Sequence, residues 1–212
     1  RLCEASFKKC EQKFLNEVEI AKQHFPLLAV QIRTSSRVWL GQTEGIGNII
    51  KSLYSDFPNL GVVFDGWSLT DNEDSVKTSL SVIESEKAIM KEILALIPPS
   101  INTYSAIGAK TYETVVWHKA IDLHVSPIGA GLIYPVWIGH KPGVLYAHTQ
   151  ILNDFGKYYY ATSNAPHLEK MLPQVLIPND SIVDSSDFNY DCDWQAIYNE
   201  VLKILKQVNE KK

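Results

Sequence analysis

The chain has 212 residues, of which 45% are hydrophobic and 21% charged, with a formal net charge of -4 and a pI near 5.9. That is enough apolar chain for one large domain or two small ones with a real core, and the mild acidity with scattered lysines excludes nucleic acid as an expected partner. No apolar run approaches the ~20 residues that cross a bilayer and the polar start RLCEASFKKCEQKF is no secretory signal, so a cytoplasmic protein without a transmembrane segment is expected.

In chain order, FKKCEQKFLNEVEIAKQHF carries Phe7, Cys10, Phe14, Val18 and Ala21 at three- and four-residue spacing, which predicts one amphipathic helix ended by Pro26. LLAVQIR is a continuous apolar run with β-branched members, the pattern of a strand buried on both faces, and the polar loop TSSRVWLGQTEG follows it. Next come a helix in IGNIIKSLYSDF, a second buried strand in LGVVFDGW, and a long helix in SEKAIMKEILALI closed by Pro98 and Pro99. INTYSAIG reads as a third strand, KTYETVVWHKA as a helix, and IDLHVS as a fourth strand. LIYPVWIG is expected to be a helix with Pro135 in its first turn, and GVLYAH a fifth strand. FGKYYYATSNAPHL reads as an aromatic surface loop, and DCDWQAIYNEVLKILKQVNEKK as a last helix capped by Asp193. Buried strands alternating with helices predict an α/β fold: a Rossmann-like doubly wound, mainly parallel sheet of five or six strands with helices on both faces, in one domain over residues 1–212.

Parallel sheets bind ligands beyond the carboxyl ends of their strands, where loops converge. The unusual residues of this sequence fall there: Arg33, Thr34, Ser35, Ser36 and Arg37 after the first strand, Asp65, Gly66 and Trp67 after the second, Gly108 after the third, and Ser126, Gly129 and Gly131 after the fourth. Glycine inside a regular element costs roughly 0.5–1 kcal/mol, so the Gly129-Ala130-Gly131 step needs a local cause. Either an anionic group such as a phosphate approaches the backbone, or the glycines serve tight turning and helix packing. Gly41, Gly45 and Gly47 form a second cluster, at a spacing unlike the dinucleotide fingerprint, and no Gly-Lys-Ser/Thr loop exists, which disfavours NAD binding and ATP hydrolysis. His118, His124, His140 and His148 lack the spacing of a zinc site, so no metal and no cofactor is expected. Asp65 ends a buried strand and could hold a hydroxyl or a proton, or only shape a turn. The three cysteines fit neither a metal site nor a disulfide framework, and the sequon Asn179-Asp180-Ser181 has no secretory signal before it.

WHKAIDLHVSPIGAGLIYPVWIGHKPGVLYAH resembles the C-terminal half of GT-B glycosyltransferases, in which an Ala-Asp strand, a Gly-x-Gly-Leu loop, a helix and a Pro-Gly strand build the nucleotide-sugar pocket. Ala120, Asp122, Gly129, Ala130, Gly131, Leu132, Pro142 and Gly143 carry the likeness, while Ile128 stands where histidine is frequent. The resemblance implies that Arg33 and the Gly129–Leu132 loop meet the diphosphate of a nucleotide-diphosphate sugar, and that residues from Gly108 to Glu113 approach the nucleoside. It implies hexosyl or pentosyl transfer to a glycan or protein acceptor, as in polysaccharide biosynthesis, with no metal required. GT-B enzymes pair two such domains, so the expected partners are the nucleotide sugar and an N-terminal acceptor-binding domain of the same enzyme. The isolated chain, which begins with Arg rather than Met, is then expected to bind donor without transferring sugar. Two rivals stand beside this: a non-catalytic Rossmann-like interaction module, and a small sugar-phosphate-modifying α/β enzyme using Asp65 and His124 as acid and base.

Overall fold

A computed structural model describes residues 1–70, 73–148, 151, 172–173 and 189–209. Its centre is a six-stranded, all-parallel sheet of order β3-β2-β1-β4-β5-β6, built from β1 (Leu27–Gln31), β2 (Gly61–Asp65), β3 (Asn102–Ser105), β4 (Leu123–Pro127), β5 (Gly143–Tyr146) and β6 (Leu172–Pro173). The predicted Rossmann-like layer is therefore the observed one. The order reverses between β1 and β4, whose register sets Leu28 opposite Leu123 and Val30 opposite Val125.

The continuous apolar runs arise because both faces of the sheet are covered. Leu28, Val30, Val62 and Phe64 point into one core with α3 (Gln42–Asp56), α4 (Glu73–Leu96) and α6 (Trp194–Asn209). Leu27, Ala29 and Val63 point into the other, against Val18 and Ala21 of α2 (Gln12–Ala21) and Val116 and Trp117 of α5 (Thr111–Ala120). Asp122, just before β4, accepts the Leu27 N–H (2.9 Å) and so fixes where β1 starts beside β4. Asp193 accepts the Gln195 N–H (2.9 Å), the expected cap of α6.

Two local expectations are corrected. The first helix is two, α1 (Leu2–Lys9) and α2, because Cys10 (φ -76, ψ 145) and Glu11 (φ -68, ψ 146) are extended. The break lets α1 leave the line of α2 and pack on α5, with Lys9 Nζ 4.6 Å from the centre of the Tyr112 ring. The apolar stripe of the sequence runs through the break, so tertiary packing overrode periodicity here. The stretch after β4 is not an α-helix but a 3-10 turn, Ala130–Ile133, followed by a π turn, Tyr134–Ile138. Pro135 supplies no N–H, Gly139 N–H bonds Tyr134 O (2.7 Å), and a Cβ on Gly139 would lie 2.6 Å from His118 O, so the wide turn is pressed onto α5.

The loop after β1 is clasped to residues far along the chain. Leu40 N–H donates to Tyr190 O (2.9 Å), Tyr190 N–H to Val38 O (3.0 Å), and Val38 N–H to Asn189 Oδ1 (2.9 Å). Buried Trp39 donates from Nε1 to Asp191 Oδ1 (2.8 Å) and meets the Tyr146 ring edge-on at 5.4 Å. The predicted aromatic loop at 155–168 lies outside the described residues.

Candidate functional site

Beyond the carboxyl ends of β1, β2 and β4, where the strand order reverses, lies a cleft of about 740 Å³. That size suits a small-molecule ligand. Among the predicted residues, Arg33, Ser35, Arg37, Ala130 and Gly131 line it, with Gly66 and Trp67 on the β2 side. Thr111 and Tyr112, inside the Gly108–Glu113 stretch, also line it, as do residues of α1.

Arg33 is anchored within its own loop. Its Nε–H donates to Ser35 O (3.1 Å) and Ser36 O (2.8 Å), while its own N–H and C=O are held by the Gln42 side-chain amide (3.2 and 2.8 Å). Ser36 (φ 26) and Arg37 (φ 55) bend the loop back, so that Arg37 enters the same cleft. Burial, and then the neighbouring Arg37 guanidinium, lower the Arg33 pKa, which still leaves the group charged at neutral pH. Among the described residues no carboxylate lies within salt-bridge reach of either arginine.

The Gly129-Ala130-Gly131 step lies directly against the side chains of Arg33 and Gln31. A Cβ on Gly129 would stand 2.5 Å from Arg33 Nη1, and one on Gly131 would overlap the Gln31 amide nitrogen. What approaches the glycine backbone is therefore the protein's own cationic and amide groups at the end of β1. Gly129 is extended (φ 174), so close approach rather than backbone conformation calls for glycine there.

Other predicted site residues lie behind the cleft wall. Asp65 is buried with His118 of α5, Oδ2 to Nε2 at 3.1 Å, and His118 stacks on the cleft residue Tyr134 at 5.8 Å between ring centres. Ser126 Oγ shares a 3.0 Å hydrogen bond with His124 Nδ1, and burial pushes His124 down to about 3, holding it neutral. Asp65 and His124 thus sit in the sheet floor with partners of their own. Leu132 packs in a small core with Ile128, Val136 and Leu145. Gly108 takes a positive φ of 78 at the turn where its N–H meets Trp67 O (2.8 Å), and Glu113 caps α5 by accepting the Lys110 N–H (2.8 Å). Among the described residues no cluster of three potential metal ligands occurs, and no helix is long and apolar enough to cross a membrane.

Sequence reasoning missed Glu86. It is 3% exposed, lines the cleft, and accepts the Trp67 N–H at Oε2 (2.7 Å), with Gly66 leaving room for its carboxylate. Its signal was its position in α4, on the stripe Ile83, Glu86, Met90 and Ile93, where every other member is apolar. Burial pushes Glu86 up to about 7 against the lowering effect of the Trp67 hydrogen bond. A carboxyl whose pKa is raised on folding costs nothing below its unfolded value near 4.5, and the cost is complete once pH exceeds about 7. Glu86→Gln should accordingly gain on the order of 3 kcal/mol in urea unfolding at pH 8 and little at pH 4.5. Equal stability of the two proteins at pH 8 would refute the burial argument.

No protein-family profile matches the chain, and no curated protein does. Among solved structures it is similar to the Escherichia coli ADP-heptose LPS heptosyltransferase II, at 12% identity over 95% of this chain and 54% of that one, with a TM-score of 0.50. It also matches the UDP-forming trehalose-phosphate synthases of Burkholderia vietnamiensis (10% identity, 97% of this chain, 45% of that one, TM-score 0.46) and Burkholderia xenovorans (8%, 97%, 46% and 0.46). The fold is glycosyltransferase-like. These structural neighbours are GT-B glycosyltransferases, and the chain spans about half the length of each.

Proposed function

We propose that this chain is the donor-binding half of a GT-B glycosyltransferase, holding a nucleotide-diphosphate sugar for transfer to a glycan or protein acceptor. One observation carries the reading: Arg33 and Arg37, without a carboxylate partner among the described residues, line one cleft at the reversal point of a parallel sheet, with Arg33 packed against the Gly129 backbone. In this reading a diphosphate lies against Arg33 and Arg37, the nucleoside extends towards Thr111 and Tyr112, and Asp65 and Ser126 support the wall from behind. As the glycosidic bond breaks, negative charge grows on the departing nucleoside diphosphate. Guanidinium groups already in place stabilise that charge without a metal. The acceptor comes from a second domain, in keeping with the share of the heptosyltransferase chain that this one covers.

The test is titration calorimetry with UDP, GDP, CMP and ADP, their sugars, and the corresponding nucleosides. One base is expected to stand out, with the diphosphate binding far more tightly than its nucleoside. If no nucleotide binds, the interaction-module reading takes its place.

A further inference from the structure

Among the described residues the cleft wall carries three cations, Lys9, Arg33 and Arg37, and a single carboxyl, Glu86. Glu86 is fixed on one side only. Trp67 N–H occupies Oε2, and among the described residues no other hydrogen bond to the side chain is made. The charged groups facing it are Asp65 at the end of β2, which opposes its ionisation, and Arg33 after β1, which favours it. From the α5 side His118 is taken up by Asp65. A ligand filling this cleft must therefore present two different groups: an anion to the arginines, and an uncharged hydrogen-bonding group to Glu86.

We propose that Glu86 decides which nucleotide the cleft accepts: its carboxyl takes a hydroxyl of an uncharged glycosyl group as hydrogen-bond partner and excludes a third phosphate or other anion from that position. The inference rests on the donor-binding reading and narrows it to diphosphates bearing a neutral sugar. A hydroxyl both donates and accepts, so it fits the carboxyl in either protonation state. An anion is repelled by the ionised form at low dielectric and is admitted only when Glu86 holds its proton. With a midpoint of about 7, Glu86 passes from mostly protonated at pH 6 to mostly ionised at pH 8.

The experiment compares UDP-glucose with UTP, ADP-glucose with ATP, and GDP-mannose with GTP by calorimetry at pH 6 and pH 8, for the full chain and for Glu86→Gln. The glutamine is isosteric, and its Oε1 can still accept the Trp67 N–H. For whichever base binds, the wild-type preference for the sugar diphosphate over the triphosphate should grow about tenfold more from pH 6 to pH 8 than the preference of the variant does. The terminal phosphate's own proton loss affects both proteins alike and cancels in the comparison. Preferences that change equally in the two proteins would overturn the role of Glu86 while leaving donor binding intact. Failure of all six ligands to bind either protein would overturn both.

Discussion

If the cleft binds a nucleoside diphosphate as proposed, Arg33→Ala is expected to weaken that binding by about 1.5–3 kcal/mol, the usual range for a hydrogen bond to a charged group, which is roughly 10- to 150-fold in Kd. The nucleoside without phosphates should lose little, since the missing interaction is with the anion. The structure adds a second cause to the loss. Arg33 Nε–H also ties Ser35 O and Ser36 O, so the alanine variant releases the loop that brings Arg37 to the cleft. Arg33→Lys keeps the charge but cannot reproduce the planar fork, and should recover only part of the affinity. Gly131→Val should be as damaging by another route, because its side chain occupies the space of the Gln31 amide and drives it into the cleft. Equal diphosphate affinity in wild type, Arg33→Ala and Gly131→Val would remove the phosphate from this corner of the molecule.

The largest effect on stability is expected from Trp39→Ala, at about 3–5 kcal/mol, the range for truncating a fully buried large aromatic side chain. Trp39 is 2% exposed, packs edge-on against Tyr146, and leaves Asp191 without its indole donor when removed. A Cβ on Gly45 would overlap the same indole, so the ring and the start of α3 have been fitted to each other. Urea unfolding measures the loss directly. A change below about 1 kcal/mol would mean that the clasp contributes little to the core.

The fold could be read from the sequence because each central strand is covered on both faces, which turns LLAVQ and GVVFD into uninterrupted apolar runs. Helices with one apolar face were equally plain. The break between α1 and α2 was hidden because neither Cys10 nor Glu11 is a residue that ends helices by its own chemistry. The turn after β4 was misread because its apolar residues and Pro135 fit a helix start as well as a wide turn, and the contact with His118 O that favours the turn is made across the structure. In the site, the loops at the strand ends brought Arg33, Ser35, Arg37, Ala130 and Gly131 into view by position alone. That Gly129 and Gly131 accommodate Arg33 and Gln31 depends on how β1 and β4 lie side by side, and no local pattern encodes that. Glu86 was legible as a lone acid in an apolar stripe, but its outlet to the cleft depends on Gly66, a residue of another element.

The strand order also sets a timetable. β1 lies between β2, which follows it closely in the chain, and β4, which comes after two more helices and another strand. A chain emerging from the ribosome at ~5–20 residues per second exposes one bare edge of β1 for roughly 5–20 s before Leu123–Pro127 has been made. An apolar edge open for that long is a template for pairing with the wrong strand. Fragments that stop before β4 should therefore gather into oligomers through β1, and the nascent protein should be a client of chaperones that shield such edges until β4 arrives.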